Sequence, residues 1–156
     1  EIWNYQQIEL GFNYRMNDIQ GALGLNQMKR LDEYIKRRHK IAKVYDDELE
    51  KLPIITPWQT TEAYSSYHLY PLLIKNKDNK SQRKIYHELI KNKIGVNLHY
   101  TPVHRHPYYE SLGFKKNDFP ESEKFHCEAL SIPIYFSLTN EEQKNVIEVL
   151  KKVIIK

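Results

Sequence analysis

Residues 11–28 read Gly11-Phe-Asn-Tyr-Arg-Met-Asn-Asp-Ile-Gln-Gly-Ala-Leu-Gly-Leu-Asn-Gln-Met28, an irregular lead running into a helix start. Asn17 followed three residues later by Gln20 is a capping-box pattern, in which each side chain takes the other's backbone amide. Ile19, Leu23, Met28, Leu31 and Ile35 then recur at helical spacing, and Ile41, Tyr45, Leu49 and Leu52 continue it to Pro53. Residues 17–52 are therefore expected to form one long helix, or two with a bend, of a length that suits an element bridging two lobes. Gly21 and Gly24 inside it each cost up to about 1 kcal/mol against Ala, which leaves two readings, another backbone packed close by or glycines that are merely tolerated.

Outward from this helix the pattern alternates. Tyr67–Ile74 reads as a strand with Pro71 at an edge or bulge, and Ser81 as the cap of a helix that turns Ile85, Leu89 and Ile90 inward and stops at Gly95. In Val96–Tyr100 the residues Val96, Leu98 and Tyr100 alternate with Asn97 and His99, one face buried and one polar. A short helix from Asp118 or Pro120 to Leu130, a strand near Ile132–Ile134 and a closing amphipathic helix capped by Thr139 and Glu142 complete the chain. The expected class is α+β: a long helix, then strands and helices in β-α-β-α-β-α order over residues 53–156.

Composition narrows the function. The 24 Lys and Arg against 20 Asp and Glu leave a net charge of +4, and 156 residues suffice for a core without disulfides. The lone Cys127 staples nothing and, set among Phe125, Ala129 and Leu130, reads as a buried small hydrophobe. One cysteine and no signal-peptide pattern point to a reducing, cytoplasmic compartment, and no apolar run is long enough to span a membrane. The stretch Glu1–Leu10, opening without Met, reads as a linker or the tail of an upstream unit. No Gly-rich dinucleotide or Walker-type loop is present.

Two stretches carry candidate chemistry. A helix N-terminus beside the amide of Asn13 and the guanidinium of Arg15 suits an anion, best a phosphate; the plainer alternative makes Asn13 a turn residue and Arg15 a solvated charge. His99-Tyr-Thr-Pro-Val-His104-Arg-His106-Pro-Tyr-Tyr109 crowds hydrogen-bonding rings into an irregular loop at a strand end. Its histidine spacing lacks the partners of a zinc site, which leaves polar substrate binding and a structural turn as the two readings. The basic run Lys36–Lys40 reads as a solvated helix face, since consecutive helical residues point around the whole cylinder and present no stripe to a nucleic acid.

Taken in order, residues 11–28, Tyr67-His-Leu-Tyr70, Gly95, the loop His99–Tyr109 and Glu128-Ala-Leu-Ser-Ile-Pro133 closely resemble the DegT/DnrJ/EryC1/StrS nucleotide-sugar aminotransferases, pyridoxal-phosphate enzymes of fold type I. Within that family the likeness is nearest to transaminases acting on UDP-linked 4-keto-6-deoxy-hexosamines, as in pseudaminic acid synthesis. The resemblance implies a small C-terminal lobe: residues 1–16 as the tail of the large domain with the cofactor-phosphate loop, 17–52 as the connecting helix, 53–156 as the small domain.

It further implies that Asn13 reaches the phosphate of pyridoxal 5'-phosphate in a second subunit of a homodimer, with Tyr14 and Arg15 flanking. His99, Tyr100, His104 and Tyr109 are implied contacts to the nucleotide-sugar substrate, which takes its amino group from glutamate; no nucleic acid, membrane or metal partner is implied. The cofactor-bearing lysine of the family lies in the large lobe and matches no motif here, so this stretch alone is expected to hold no catalytic residue and to be inactive. Other classes are a non-catalytic dimerisation or regulatory module of the same fold, and a basic nucleic-acid binder.

Overall fold

A computed structural model describes residues 12, 14–75 and 79–155, with only the backbone of 79–81. The chain divides into two compact units, Glu1–Glu33 and Tyr34–Lys156.

The first unit holds α1, Asp18–Met28. Its capping box is formed: the Gln20 amide donates to Asn17 Oδ1 at 2.9 Å and the Asn17 amide to Gln20 Oε1 at 3.1 Å. No residue of α1 is buried; Ile19, Leu23, Leu25 and Met28 all stand exposed. The close backbone that Gly21 and Gly24 suggested is absent among the described residues: a Cβ on Gly24 would meet nothing within 4 Å, and one on Gly21 only Met16 Sδ at 3.9 Å.

Of the two expectations for residues 17–52, two helices form rather than one. The Lys29 and Arg30 amides close onto the carbonyls of Leu25 and Gln27, and α2 then runs Leu31–Leu49, three residues short of the expected Leu52. From the second unit's part of α2, Ile41, Ala42, Tyr45 and Leu49 enter the core. The basic run is not the solvated face that its composition suggests. Arg38 Nη1 donates to the carbonyls of Tyr67, His68 and Ile134 at 2.8, 3.1 and 2.9 Å, and Arg37 donates to the Leu138 carbonyl. Consecutive residues do point around the helix, and here the chain has folded around it.

The sheet has four antiparallel strands in the order β1-β2-β4-β3, formed by Ile54–Ile55, Tyr70–Ile74, Ala129–Ile132 and Asn97–Leu98 respectively. In β2 the residues Tyr70, Leu72 and Ile74 are buried, and Tyr70 and Leu72 stand opposite Ile132 and Leu130 of β4, so the period-two pattern becomes one apolar face. β2 begins at Tyr70, not Tyr67, because Tyr67 takes a left-handed φ of 45°. Pro71 lies opposite Ser131, beyond the reach of β1, which pairs only with Leu73 and Ile74; its missing N–H interrupts no rung with β1.

β4 starts at Ala129, earlier than the expected Ile132, and ends the preceding helix α5 at Glu128. All four of its residues are buried, which a central strand covered on both faces requires. Gln82, buried on α3 (Asn79–Lys91), donates to the His126 and Ala129 carbonyls at 3.0 and 2.6 Å and so satisfies the helix-to-strand junction. That helix begins before Ser81, and Ile90 is exposed, whereas Ile85 and Leu89 face the core. Its stop is Lys93, at φ 61°, with the Ile94 amide returning to the Leu89 carbonyl at 3.0 Å and that of Lys93 to Ile90 at 2.9 Å; Gly95 plays no capping part.

After β3 come a 3-10 turn, Val103–Arg105, and the short helix α4, Pro107–Ser111. α5, Pro120–Glu128, opens with proline at a position where its missing N–H costs nothing. The closing helix α6, Asn140–Ile155, starts in the Thr139–Glu142 capping box and buries Val146, Ile147 and Leu150. Tyr45 and Tyr70, both fully buried, donate their hydroxyls to the Pro133 carbonyl and to Asp46, so burial removes no unpaired polar atom here. Among the described residues no helix is long and apolar enough to cross a membrane.

Candidate functional site

The strand end after β3 delivers His99 and Tyr100 side by side. His99 is half-buried and its Nε2 meets Ser131 Oγ of β4 at 2.5 Å, while its carbonyl accepts from His126 Nδ1 of α5 at 3.3 Å. Ring and backbone are thus fixed from two directions. Tyr100 stands edge-on to His99, centroids 5.4 Å apart, and is 80% exposed. The alternation that would have buried Tyr100 stops at Leu98, where pairing with Leu130 ends.

His104 is placed differently. It is buried in the 3-10 turn, packed against Phe119 at 4.9 Å, and its Nε2 donates to Glu123 Oε1 at 2.8 Å. Glu123 Oε1 also accepts from the Asn117 amide at 2.6 Å, and the His104 bond followed by this second one holds its carboxyl below the usual glutamate range. His104 thereby ties the loop to α5. Tyr109, on α4, is half-exposed among Tyr108 and Phe114 at 5.3 and 6.4 Å. Arg105 and Glu110, 3.0 Å apart, close the loop onto α4, and Gly113 beyond that helix takes a φ of 103° that only glycine adopts freely.

The structure therefore brings a half-buried His99 and an exposed Tyr100 to one strand end and gives His104 a partner inside the protein. Sequence reading missed Ser131, His126 and Glu123. Ser131 sits in the quoted stretch Glu128–Pro133, where a polar residue inside an apolar strand was the available signal; the partners of His126 and Glu123 lie too far along the chain for spacing to reveal them.

At the other candidate, Asn13 lies outside the described residues. Tyr14 and Arg15 are exposed ahead of α1. The Asn17 side chain already takes the Gln20 amide, and Asp18 puts a carboxylate into the first turn, so an anion there would depend on Arg15 and Asn13 more than on the helix end. A guanidinium and a phenol suit a phosphate, and the Tyr14 ring is stacked on Phe12 at 5.5 Å.

The unit Tyr34–Lys156 is an α+β lobe whose short edge strand β3 runs into a histidine- and tyrosine-rich loop. A model of the DegT/DnrJ/EryC1/StrS aminotransferase family matches residues 2–151, and the chain belongs to that family. It is 40% identical over 155 residues to an uncharacterized protein of Methanocaldococcus jannaschii, covering 97% of this chain and 40% of that protein. It is 32% identical to the UDP-4-amino-4,6-dideoxy-N-acetyl-beta-L-altrosamine transaminase of Campylobacter jejuni, covering 99% of this chain and 41% of that enzyme.

Among solved structures, Spr1654 of Streptococcus pneumoniae in its PLP form superposes with a TM-score of 0.86 at 30% identity, over 98% of this chain and 39% of that one. Helicobacter pylori PseC, an aminotransferase of pseudaminic acid biosynthesis, superposes at 0.83 and 28% identity, over 99% and 42%. The chain thus spans about 40% of the length of the relatives it matches.

Proposed function

We propose that this chain is the C-terminal part of a pyridoxal-phosphate-dependent aminotransferase that moves an amino group from glutamate to a nucleotide-linked keto sugar in the cytoplasm, working as a homodimer. The observation that carries the reading is the family match over residues 2–151 together with sugar-nucleotide transaminases among the relatives. The cofactor, when bound, supplies the electron withdrawal that makes amino exchange possible. This chain's part is to bind and orient. Arg15 and Asn13 hold the cofactor phosphate, and the exposed phenol of Tyr100 with the His99 ring meets hydroxyls or phosphates of the sugar nucleotide.

Ser131 and His126 fix the His99 ring and backbone, so the loop meets its substrate already ordered. Tyr109 stands further along the same loop as a second phenol, and His104, through Glu123, positions the loop. No lysine in this stretch is assigned to the cofactor, so the lobe alone is inactive.

The test extends the chain upstream to the full length of its relatives and adds pyridoxal phosphate. A visible band from bound cofactor that glutamate bleaches supports the reading; a folded, colourless protein overturns it and leaves an interaction module. In the coloured protein, Asn13→Ala should weaken cofactor affinity, and unchanged affinity removes the phosphate role.

A further inference from the structure

Behind the loop lies a cavity of about 400 Å³ lined by Thr101, Pro102, Arg105, Lys116, Glu123, His126 and Cys127. Its single carboxylate is already engaged: Glu123 Oε1 accepts from both His104 Nε2 and the Asn117 amide. Of its two cations, Arg105 is ion-paired with Glu110 and its charge also acts on Glu123. Lys116 makes no ion pair among the described residues, and Arg105 uses Nε on Glu110 while keeping two terminal nitrogens as donors. His126 spends its Nδ1 proton on the His99 carbonyl, so its ring serves the wall of the cavity rather than as a donor to it, and Thr101 adds an exposed hydroxyl.

The turn that carries Lys116 is fixed. The Lys115 amide donates to Asp118 Oδ2 at 2.7 Å, the Asp118 amide returns to the Lys115 carbonyl at 3.3 Å, and Asn117 sits at φ 74° with its amide on Glu123. A positive-φ non-glycine residue is held only where its surroundings over-determine it. A guanidinium, an ammonium and a hydroxyl around one cavity are a donor set for a tetrahedral oxyanion.

We infer that this cavity binds a phosphate group, either of a small organic phosphate or of a nucleotide, with Lys116 and Arg105 as its charged contacts. Occupancy is communicated to the loop, because His126 and Thr101 flank His99 and Tyr100 directly. Such binding is seen without any amino-transfer activity, so its failure and that of the reading above are separate.

Cys127, the only cysteine of the chain and half-exposed in the cavity wall, is the reporter. The probe is inorganic phosphate, and the readout is the rate at which iodoacetamide alkylates Cys127 in the 156-residue chain. Phosphate should slow alkylation saturably, sodium chloride of equal ionic strength should not, and Lys116→Gln should weaken the protection about tenfold, the loss of one charge-assisted contact. Lys36→Gln, on α2, should leave it unchanged.

A uridine diphosphate arm distinguishes the source: protection at far lower concentration than phosphate assigns the site to a nucleotide, and equal or weaker protection assigns it to a free phosphate or monoester. Protection that is absent, or that survives Lys116→Gln intact, overturns the site. Where alkylation is too slow to follow, phosphate titration read on the backbone amides of Thr101 and Lys116 replaces it, and unmoved amides overturn the site equally.

Discussion

Arg38 Nη1 lies 2.8 Å from the carbonyl oxygen of Tyr67, a buried residue held at φ 45°. The same nitrogen reaches the carbonyls of His68 and Ile134, so one guanidinium from α2 pins both the approach to β2 and the segment after β4. The left-handed backbone at Tyr67 survives because its carbonyl has nowhere better to go. His39 supports the same segment, its Nε2 on the Ser65 carbonyl at 2.7 Å and its ring stacked on Tyr64 at 4.3 Å. Arg38→Ala removes the nitrogen that all three carbonyls share and should cost about 2 kcal/mol in urea unfolding. A midpoint unchanged from the parent chain would show that the contact stabilises nothing.

Glu123 sets an acid limit. Its folded-state pKa is depressed, so its contribution to stability is complete above the unfolded value and is lost as pH falls through the folded one. Thermal midpoints measured from neutral pH down to about pH 3 should fall on the acid side. In Glu123→Gln the fall should be shallower, and the neutral-pH midpoint lower, because the His104 bond loses its carboxylate. Parallel curves for the two proteins would contradict this. Glu142 adds to the same slope through its bonds to Thr139, so the variant keeps part of the decline.

Lys93 occupies the left-handed position after α3 where glycine is at ease. Lys93→Gly relieves a conformational cost of about 1–2 kcal/mol and adds back a chain-entropy cost of about half that, for a net gain of about 0.5–1 kcal/mol. A urea midpoint that does not rise would mean that the lysine stem packs on its surroundings more than its backbone suffers.

Ser131→Ala tests the positioning of His99. Loss of the 2.5 Å contact frees the ring without removing it, so in the extended, cofactor-loaded protein the expected effect is a raised KM for the nucleotide sugar. Ser131→Thr keeps a hydroxyl and should recover part of it. A fall in kcat with KM unchanged would assign Ser131 to another task.

Contacts between near neighbours were legible from the residues alone. The boxes Asn17–Gln20 and Thr139–Glu142 close over three residues, and both are formed. The apolar period of α6 followed from the same local rules, as did the strand expected over Tyr67–Ile74, which forms over Tyr70–Ile74. Arg37 and Arg38 were misread because their acceptors are carbonyls up to about a hundred residues away, and no spacing rule reaches them. Ala129 and Leu130 continue a helical pattern in sequence and become strand because Leu73 and Leu72 wait opposite. In the site, a strand-end loop was visible, but that His99 docks on Ser131 and His104 on Glu123 depended on residues thirty-two and nineteen positions further on.

The outer strands β1 and β3 are two residues each, flanking the longer β2 and β4. A stray extended peptide therefore finds almost no free ladder on either side of this sheet, and template-driven growth into cross-strand fibrils has little to start from. What clumping the isolated chain shows at high concentration should come instead from the bare apolar surface of α1, and should yield to detergent or to Leu23→Glu while leaving amyloid dyes dark.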